Sequence, residues 1–195
     1  EMCIRDRKDY KKGIQLMTSA ANNGFPDAQN NIGMLYLKGE LVPKDLSRAK
    51  SWLEKASNNG SAMAEYNLGV VYDAGMGVPV DSKKAGSLYL RSAESGYLPA
   101  FGKVVEMYAN GSKGVNKSNE KAREWLDKAI ENDDSDAMLL KANAYFHGNY
   151  GYAKDMALAK KWLDNAKKLE NPNVSTVENS WKRTERYKKF QNVKK

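Results

Sequence analysis

The sequence is poor in the residues that make disulfide bonds and metal sites. Among 195 residues it holds one cysteine, Cys3, and one histidine, His147. An intrachain disulfide needs two cysteines, and a zinc site built on paired thiols or paired imidazoles needs at least two of either. His147 also has no partner acid, base or metal ligand in the sequence pattern. We therefore predict no catalytic residue, no metal and no cofactor.

Long apolar runs are missing as well. A membrane-spanning helix needs about 20 consecutive apolar residues, and no stretch of the sequence approaches that length, so we predict no transmembrane segment. The chain starts with the string EMCIRDR rather than with methionine. We interpret residues 1–8 as an artefactual leader, with a genuine short leader as the alternative. A soluble chain is expected, and cytoplasmic and exported locations both stay open.

Most of the chain carries little net charge. The formal net charge is +8, of which the segment Trp181–Lys195 carries +6. The near-neutral body argues against nucleic acid as the main ligand. For the basic segment we favour a solvated capping face. The alternatives are contact with nucleic acid, in which Trp181, Tyr187 and Phe190 would add stacking, and contact with an anionic membrane surface. Its basic residues are Lys182, Arg183, Arg186, Lys188, Lys189, Lys194 and Lys195.

What the sequence does contain is a repeat with a period of 36 residues. Residues 28–60 align with residues 64–96 without a gap, further copies begin at Ala100 and Ala137, and half a copy precedes them all. The glycine-rich string YDAGMGVPVDSKKA belongs to this repeat. A phosphate-binding loop requires the motif G-x-x-x-x-G-K-[ST], which the string does not match. We therefore interpret the string as a recurring turn and not as a nucleotide site.

Each copy predicts two helices joined by a turn. Ala28, Ile32 and Tyr36 are spaced four residues apart, which is the spacing of one helix face. Gly39 is predicted to end the first helix, because glycine is common at helix C-termini. Asp45 is predicted to be the N-cap of the second helix, a position that favours aspartate. The corresponding N-caps in the later copies are Asp81, Ser118 and Asp155.

A large residue and two small ones are predicted to form the buried stripe of each second helix. In the first copy this stripe is Ala49, Trp52 and Ala56. Gly33 and Gly69 lie inside first helices, where they let a neighbouring helix approach closely at an intrinsic cost of about 1 kcal/mol relative to alanine. The later stripes are Ala85/Leu88/Ser92, Ala122/Trp125/Ala129 and Ala159/Trp162/Ala166.

The string AEYNLGVVYDAGMGVPVDSKKA resembles the Sel1-like repeat, a subfamily of the tetratricopeptide-type helical repeats. The resemblance spans about residues 9–170, with departures at Val105, Lys141 and Ala142, where the family has glycine or Leu-Gly. It implies an all-α fold, a right-handed α/α superhelix of helix-turn-helix repeats. It also implies a non-enzymatic scaffold that binds a protein or peptide. Some relatives with a cysteine pair in each repeat have been assigned hydrolase activity, but this chain lacks those pairs.

The period stops after Pro172, and the string STVE at Ser175–Glu178 has the form of a capping box. We predict a C-terminal helix that docks Trp181 on the last hairpin and caps the array. The predicted segments are a leader at 1–8, a half repeat at 9–27, repeats at 28–63, 64–99, 100–136 and 137–172, and a basic capping helix and tail at 173–195.

The first helices of such an array are expected to line a concave groove. Exposed Tyr, Met and Phe beside Asn suit an extended peptide or a partner helix. The alternative is that some of these residues pack between repeats, and the chain itself is expected to be a monomer. By helical spacing and family resemblance, the predicted partner-binding residues are Asn30, Met34, Leu37, Met63, Tyr66, Val70, Asp73, Glu106, Asn110, Leu139, Asn143 and Phe146.

Overall fold

The computed structural model describes the backbone of residues 4–193 and the side chains of residues 10–184. The expectations for residues 1–3, Tyr187, Phe190 and the basic side chains after Arg183 lie outside these ranges. Across residues 4–193 there are ten helices and no strand, which confirms the all-α fold class. The helices are α1 (Ile4–Asn22), α2 (Pro26–Lys38), α3 (Leu46–Asn58), α4 (Ala62–Ala74), α5 (Ser82–Glu94), α6 (Leu98–Asn110), α7 (Asn119–Glu131), α8 (Ser135–His147), α9 (Met156–Lys168) and α10 (Val174–Val193).

The helices form two compact units, Glu1–Lys117 and Ser118–Lys195. In the first unit α2 pairs with α3 and α4 pairs with α5, while α1 packs on α2 and α6 packs on α5. In the second unit α8 pairs with α9, α7 packs on α8, and α10 contacts both α8 and α9. Each unit is therefore built from helical hairpins that contact their neighbours along the chain, as in repeat proteins.

The predicted caps explain where the helices begin and end. The Asp45 carboxylate accepts a hydrogen bond from the Arg48 backbone N–H at 2.9 Å, and Asp81 does the same for Lys84. Ser118 and Asp155 cap α7 and α9 in the same way. Each such cap typically contributes about 1 kcal/mol to stability. The first helices end at glycines with positive φ, a conformation that glycine adopts without steric cost; these are Gly39, Gly75, Gly111 and Gly148.

Two helical glycines set how closely the paired helices approach. A Cβ atom built on Gly33 would lie 2.8 Å from Leu53 Cγ, and one built on Gly69 would lie 2.7 Å from the Tyr89 ring. Both distances are shorter than carbon–carbon contact allows, so only glycine fits without displacing the second helix. Leu53 and Tyr89 are themselves almost completely buried, at 0% and 1% exposed.

The buried stripe of the second helices differs from the one predicted with Trp52. Leu53 is the buried residue, while Trp52 is half-buried and carries the Lys55 ammonium 4.3 Å from its ring centroid. At 100° per residue, Leu53 and Trp52 lie about 40° to either side of the stripe formed by Ala49 and Ala56. Leu53 is on the side that meets Gly33 of α2, which is why it is the buried one. The same correction applies to Trp125 and Trp162, which are half-buried beside the buried Leu126 and Leu163.

The substitution Leu53→Ala is expected to lower the free energy of unfolding by about 3 kcal/mol, because it leaves a cavity against Gly33. Trp52→Ala should cost less, since its ring is only half-buried. Chemical denaturation of both variants measures the difference. As a control, Leu16→Ala, at a side chain that is 64% exposed, should change stability by no more than about 0.5 kcal/mol. A larger loss for Trp52→Ala than for Leu53→Ala would reverse this assignment.

The backbone amides of α1 are expected to be the least protected against hydrogen exchange among the helices of the first unit. Leu16 is 64% exposed and Met17 is half-buried, whereas Leu53, the counterpart of Met17 one repeat on, is 0% exposed. A helix that packs on one side only opens locally at lower free energy. Hydrogen exchange of backbone amides should therefore be faster at residues 13–20 than at residues 49–56. Equal rates in the two segments would contradict this expectation.

Candidate partner-binding surface

The close packing at Gly33 and Gly69 decides which faces of α2 and α4 are exposed. Because those glycines face the second helices, residues a third to a half of a turn away retain contact with solvent. On α4 these include Met63, which is 39% exposed, and the half-buried Val70. Met34 and Leu37 on α2 are half-buried, and Glu106 and Asn110 on α6 are exposed. These predicted residues of the first unit therefore retain accessible surface.

Asn30 is buried rather than exposed. It is 1% exposed, and its Oδ1 atom accepts a hydrogen bond of 2.8 Å from the side chain of Asn67. Its Nδ2 atom donates to Met63 Sδ at 3.1 Å and to Asn31 Oδ1 at 3.4 Å. A buried polar group needs hydrogen-bond partners, and the Asn30 amide finds two of them on α4. These hydrogen bonds link α2 to α4. Asn30 holds the side chains of the surface in place and does not itself present an open surface.

Tyr66 is the centre of an aromatic cluster between α4, α5 and the residue before α6. Its ring centroid lies 5.5 Å from those of both Tyr89 and Tyr97. The Tyr89 hydroxyl donates to Asp73 Oδ2 at 3.4 Å, and burial followed by the charge of Asp73 raises the pKa of Tyr89 well above its ordinary value. Burial also raises the pKa of Tyr97. The Tyr89 and Tyr97 hydroxyls are therefore uncharged at neutral pH, and Tyr66 is only partly exposed.

Asp73 has a partner within the chain. Its Oδ1 atom forms an ion pair with the ammonium of Lys113, in the turn that follows α6. Lys103 Nζ lies 3.9 Å from Glu106 Oε2, a long contact between two exposed side chains. Exposed pairs of this kind contribute little to stability. Glu106 therefore remains available to a partner, while Asp73 is held by the turn.

In the second unit, the C-terminal helix covers the predicted groove residues. Trp181 of α10 is 6% exposed, stacks on Phe146 with ring centroids 4.5 Å apart, and donates its Nε1–H to Asn143 Oδ1 at 2.8 Å. Leu139 is 5% exposed and belongs to the same apolar cluster. The prediction that Trp181 docks on the last hairpin is confirmed. The physical consequence is that Leu139 is buried inside the unit, while Asn143 and Phe146 are half-buried against Trp181 and expose only part of their surface.

Two residues of the accessible surface were missed by reasoning from sequence. Asn31 is exposed and Asn67 is half-buried beside Met63. Both lie about 200° around the helix from the glycine two positions later, Gly33 or Gly69, on the face turned away from the second helix. The signal that identifies them is thus the helical glycine itself, once it is used to mark the packed face.

Among the residues whose side chains are described, no group of three or more His, Cys, Asp or Glu is arranged to hold a metal ion. His147 is exposed and meets Phe146 edge-on with centroids 4.8 Å apart. Within residues 4–193, no helix is both long and apolar enough to span a bilayer.

The repeats match a known family. A sequence model of the Sel1 repeat matches five stretches that together cover more than half of the chain, at residues 6–25, 26–61, 62–97, 102–134 and 135–171. The chain belongs to the Sel1 repeat family. Sel1 repeat proteins generally act as non-enzymatic scaffolds and typically bind other proteins. No curated protein matches the chain.

Two solved structures resemble this Sel1 repeat chain. A Sel1 repeat protein from Oxalobacter formigenes has a TM-score of 0.75 and 31% sequence identity, over 81% of this chain and 64% of that one. A protective antigen present in uropathogenic Escherichia coli strains, which displays an SLR fold, has a TM-score of 0.73 and 30% identity. That match covers 81% of this chain and 33% of the antigen. The chain therefore spans less than two thirds of either structure.

The substitution Trp181→Ala is expected to lower the free energy of unfolding by about 3–5 kcal/mol, because it removes a buried ring and its stacking on Phe146. Trp181→Phe keeps a stacked ring but leaves Asn143 without its donor, and we expect a loss of about 1–3 kcal/mol. Thermal and chemical denaturation give both values, with the exposed Thr176→Ala on the same helix as control. An unchanged unfolding midpoint for Trp181→Ala would show that α10 is not docked through this residue.

Proposed function

We propose that this Sel1 repeat protein is a non-enzymatic scaffold that binds a protein or peptide partner on the first unit. The observation that carries the proposal is the accessible face of α2, α4 and α6, where apolar side chains alternate with amides. Met63 is held at this face by the hydrogen bond from the buried Asn30. We call this surface the α2–α4–α6 face, and its residues are Asn31, Met34, Leu37, Met63, Tyr66, Asn67, Val70, Glu106 and Asn110.

The chemistry of this face suits a peptide better than it suits a small molecule. Methionine side chains adapt their shape to different partners, and Met34 and Met63 lie on α2 and α4, the first helices of neighbouring hairpins. The Asn31 and Asn67 side chains each offer a donor and an acceptor, which match the N–H and C=O groups of an extended main chain. An exposed methionine beside amides therefore supports recognition of a peptide segment or a partner helix.

The alternative partner is an anionic surface that contacts the basic C-terminal helix. Lys182 and Arg183 are exposed on α10, next to the docked Trp181. Binding to nucleic acid or acidic lipid through such residues falls steeply as salt concentration rises. Because Trp181 is used for packing, it is not free to stack on a base. We therefore favour the α2–α4–α6 face as the principal binding surface.

Peptides selected on the full chain from a display library test this proposal. The substitution Met63→Glu should weaken the binding of a selected peptide by about tenfold or more, since it places an unpaired charge where apolar contact is expected. Ser51→Glu, at an exposed position on α3, is the matched control and should leave affinity unchanged. Both variants should unfold within about 0.5 kcal/mol of the parent. If no peptide is selected, or if only Ser51→Glu weakens binding, the proposal fails.

A further inference from the structure

A separate open cleft of about 410 Å³ lies between the end of α1, the start of α2 and one side of α3. This volume falls within the range of about 300–1,000 Å³ that small-molecule sites occupy. None of its lining residues belongs to the α2–α4–α6 face. We call it the α1–α3 pocket, and it is lined by Ala21, Asn22, Gln29, Trp52, Lys55, Asn58 and Asn59.

Hydrogen bonds fix the base of the α1–α3 pocket. Gln29 is 4% exposed, and its Nε2 atom donates to the Ala21 carbonyl at 3.0 Å. Asn59 Nδ2 donates to Gln29 Oε1 at 2.8 Å and contacts the Gly24 carbonyl at 3.4 Å. A buried amide that is held on both sides has a defined orientation. The pocket is therefore preformed at its base and needs no rearrangement of these side chains.

The next repeat shows why this pocket is open. Thirty-six residues further on, Gln29 corresponds to Glu65 and Lys55 corresponds to Arg91. There the Arg91 guanidinium reaches across and bonds to the buried Glu65 carboxylate. In the first repeat Gln29 is uncharged, and the Lys55 ammonium lies 4.3 Å from the Trp52 ring centroid instead. The space that the ion pair uses in one repeat is therefore left accessible in the other.

The lining selects for one class of ligand. The amides of Asn22 and Asn58 each combine donor and acceptor atoms, as hydroxyl groups do, whereas Asn59 uses its N–H groups on Gln29 and Gly24 and offers only its oxygen. The Trp52 indole offers an apolar face to the C–H groups of a ring, and the Lys55 ammonium offers a partner for a carboxylate. No acidic residue lines the pocket. We propose that the α1–α3 pocket binds an acidic sugar, a hydroxyl-rich ring that carries a carboxylate.

Titration of the full chain with sodium glucuronate tests the proposal directly. The indole N–H resonance of Trp52, one of four tryptophans, should shift in NMR spectra with saturable dependence on concentration. Glucose, which lacks the carboxylate, should bind at least about tenfold more weakly, the factor that one lost charge-assisted hydrogen bond implies. Glucosamine, a cation, should give no saturable shift. The same titration is then repeated with free galacturonate and with an oligogalacturonate. Tighter binding of the oligomer would indicate that the ligand is part of an acidic polysaccharide, and equal binding would indicate a monosaccharide. Equal shifts from all of these sugars, or none from glucuronate, would overturn the proposal.

The ion pair of the next repeat suggests a variant that closes the pocket. The double substitution Gln29→Glu and Lys55→Arg reproduces the pair that Glu65 and Arg91 form there. This variant should unfold at a lower midpoint, because it loses the donor to the Ala21 carbonyl, but it should stay folded and lose the glucuronate-dependent shift. Lys55→Gln alone should weaken glucuronate binding about tenfold and leave glucose binding unchanged. The matched control is Lys128→Gln, which removes the equivalent lysine from over Trp125 in the second unit. Undiminished glucuronate binding in both pocket variants would place the ligand elsewhere and refute the assignment.

Discussion

The close approach of α2 to α3 and of α4 to α5 is the contact on which the first unit depends. Gly33 against Leu53 and Gly69 against Tyr89 leave no room for a Cβ atom. Glycine is unfavourable inside a helix, so the packing gained by close approach must offset that cost. Once this contact is fixed, the rotation of the first helix is fixed as well. The face opposite the glycine is then exposed, and Met63 and Asn67 lie on it.

Features that depend only on residues close together in the sequence could be predicted from it. The Asp45 and Asp81 caps, the glycine C-termini and the helix pairs follow from local hydrogen bonding and periodicity. The choice between Trp52 and Leu53 as the buried residue could not be made in the same way. Spacings of three and of four residues both fit a helical stripe, and size alone favoured tryptophan. Only the position of Gly33 on the partner helix decides that Leu53 faces inward.

Non-local packing accounts for the part of the candidate surface that sequence reasoning misplaced. Asn143 and Phe146 have the right spacing to line a groove, yet Trp181 covers them from a helix nearly forty residues further along the chain. Asn30 has similar spacing, but its amide is used to join α2 to α4. Periodicity identifies which face of a helix a residue occupies. It does not reveal whether another element packs on that face.

The repeats also show that equivalent positions need not share one chemistry. One buried position of the repeat carries a different residue in each of the four copies: Gln29, Glu65, Phe101 and Met138. Glu65 keeps one carboxylate oxygen, Oε2, that is buried and accepts no hydrogen bond from any described residue, although Arg91 pairs with the other oxygen. A buried charge of this kind gives little net stability. The preceding repeat has the uncharged Gln29 at the position of Glu65, and both side chains are buried. The same backbone packing therefore accepts different side chains at the junctions between repeats. Distinct binding surfaces can therefore arise on one repeating scaffold at the places where side chains are not consumed by packing.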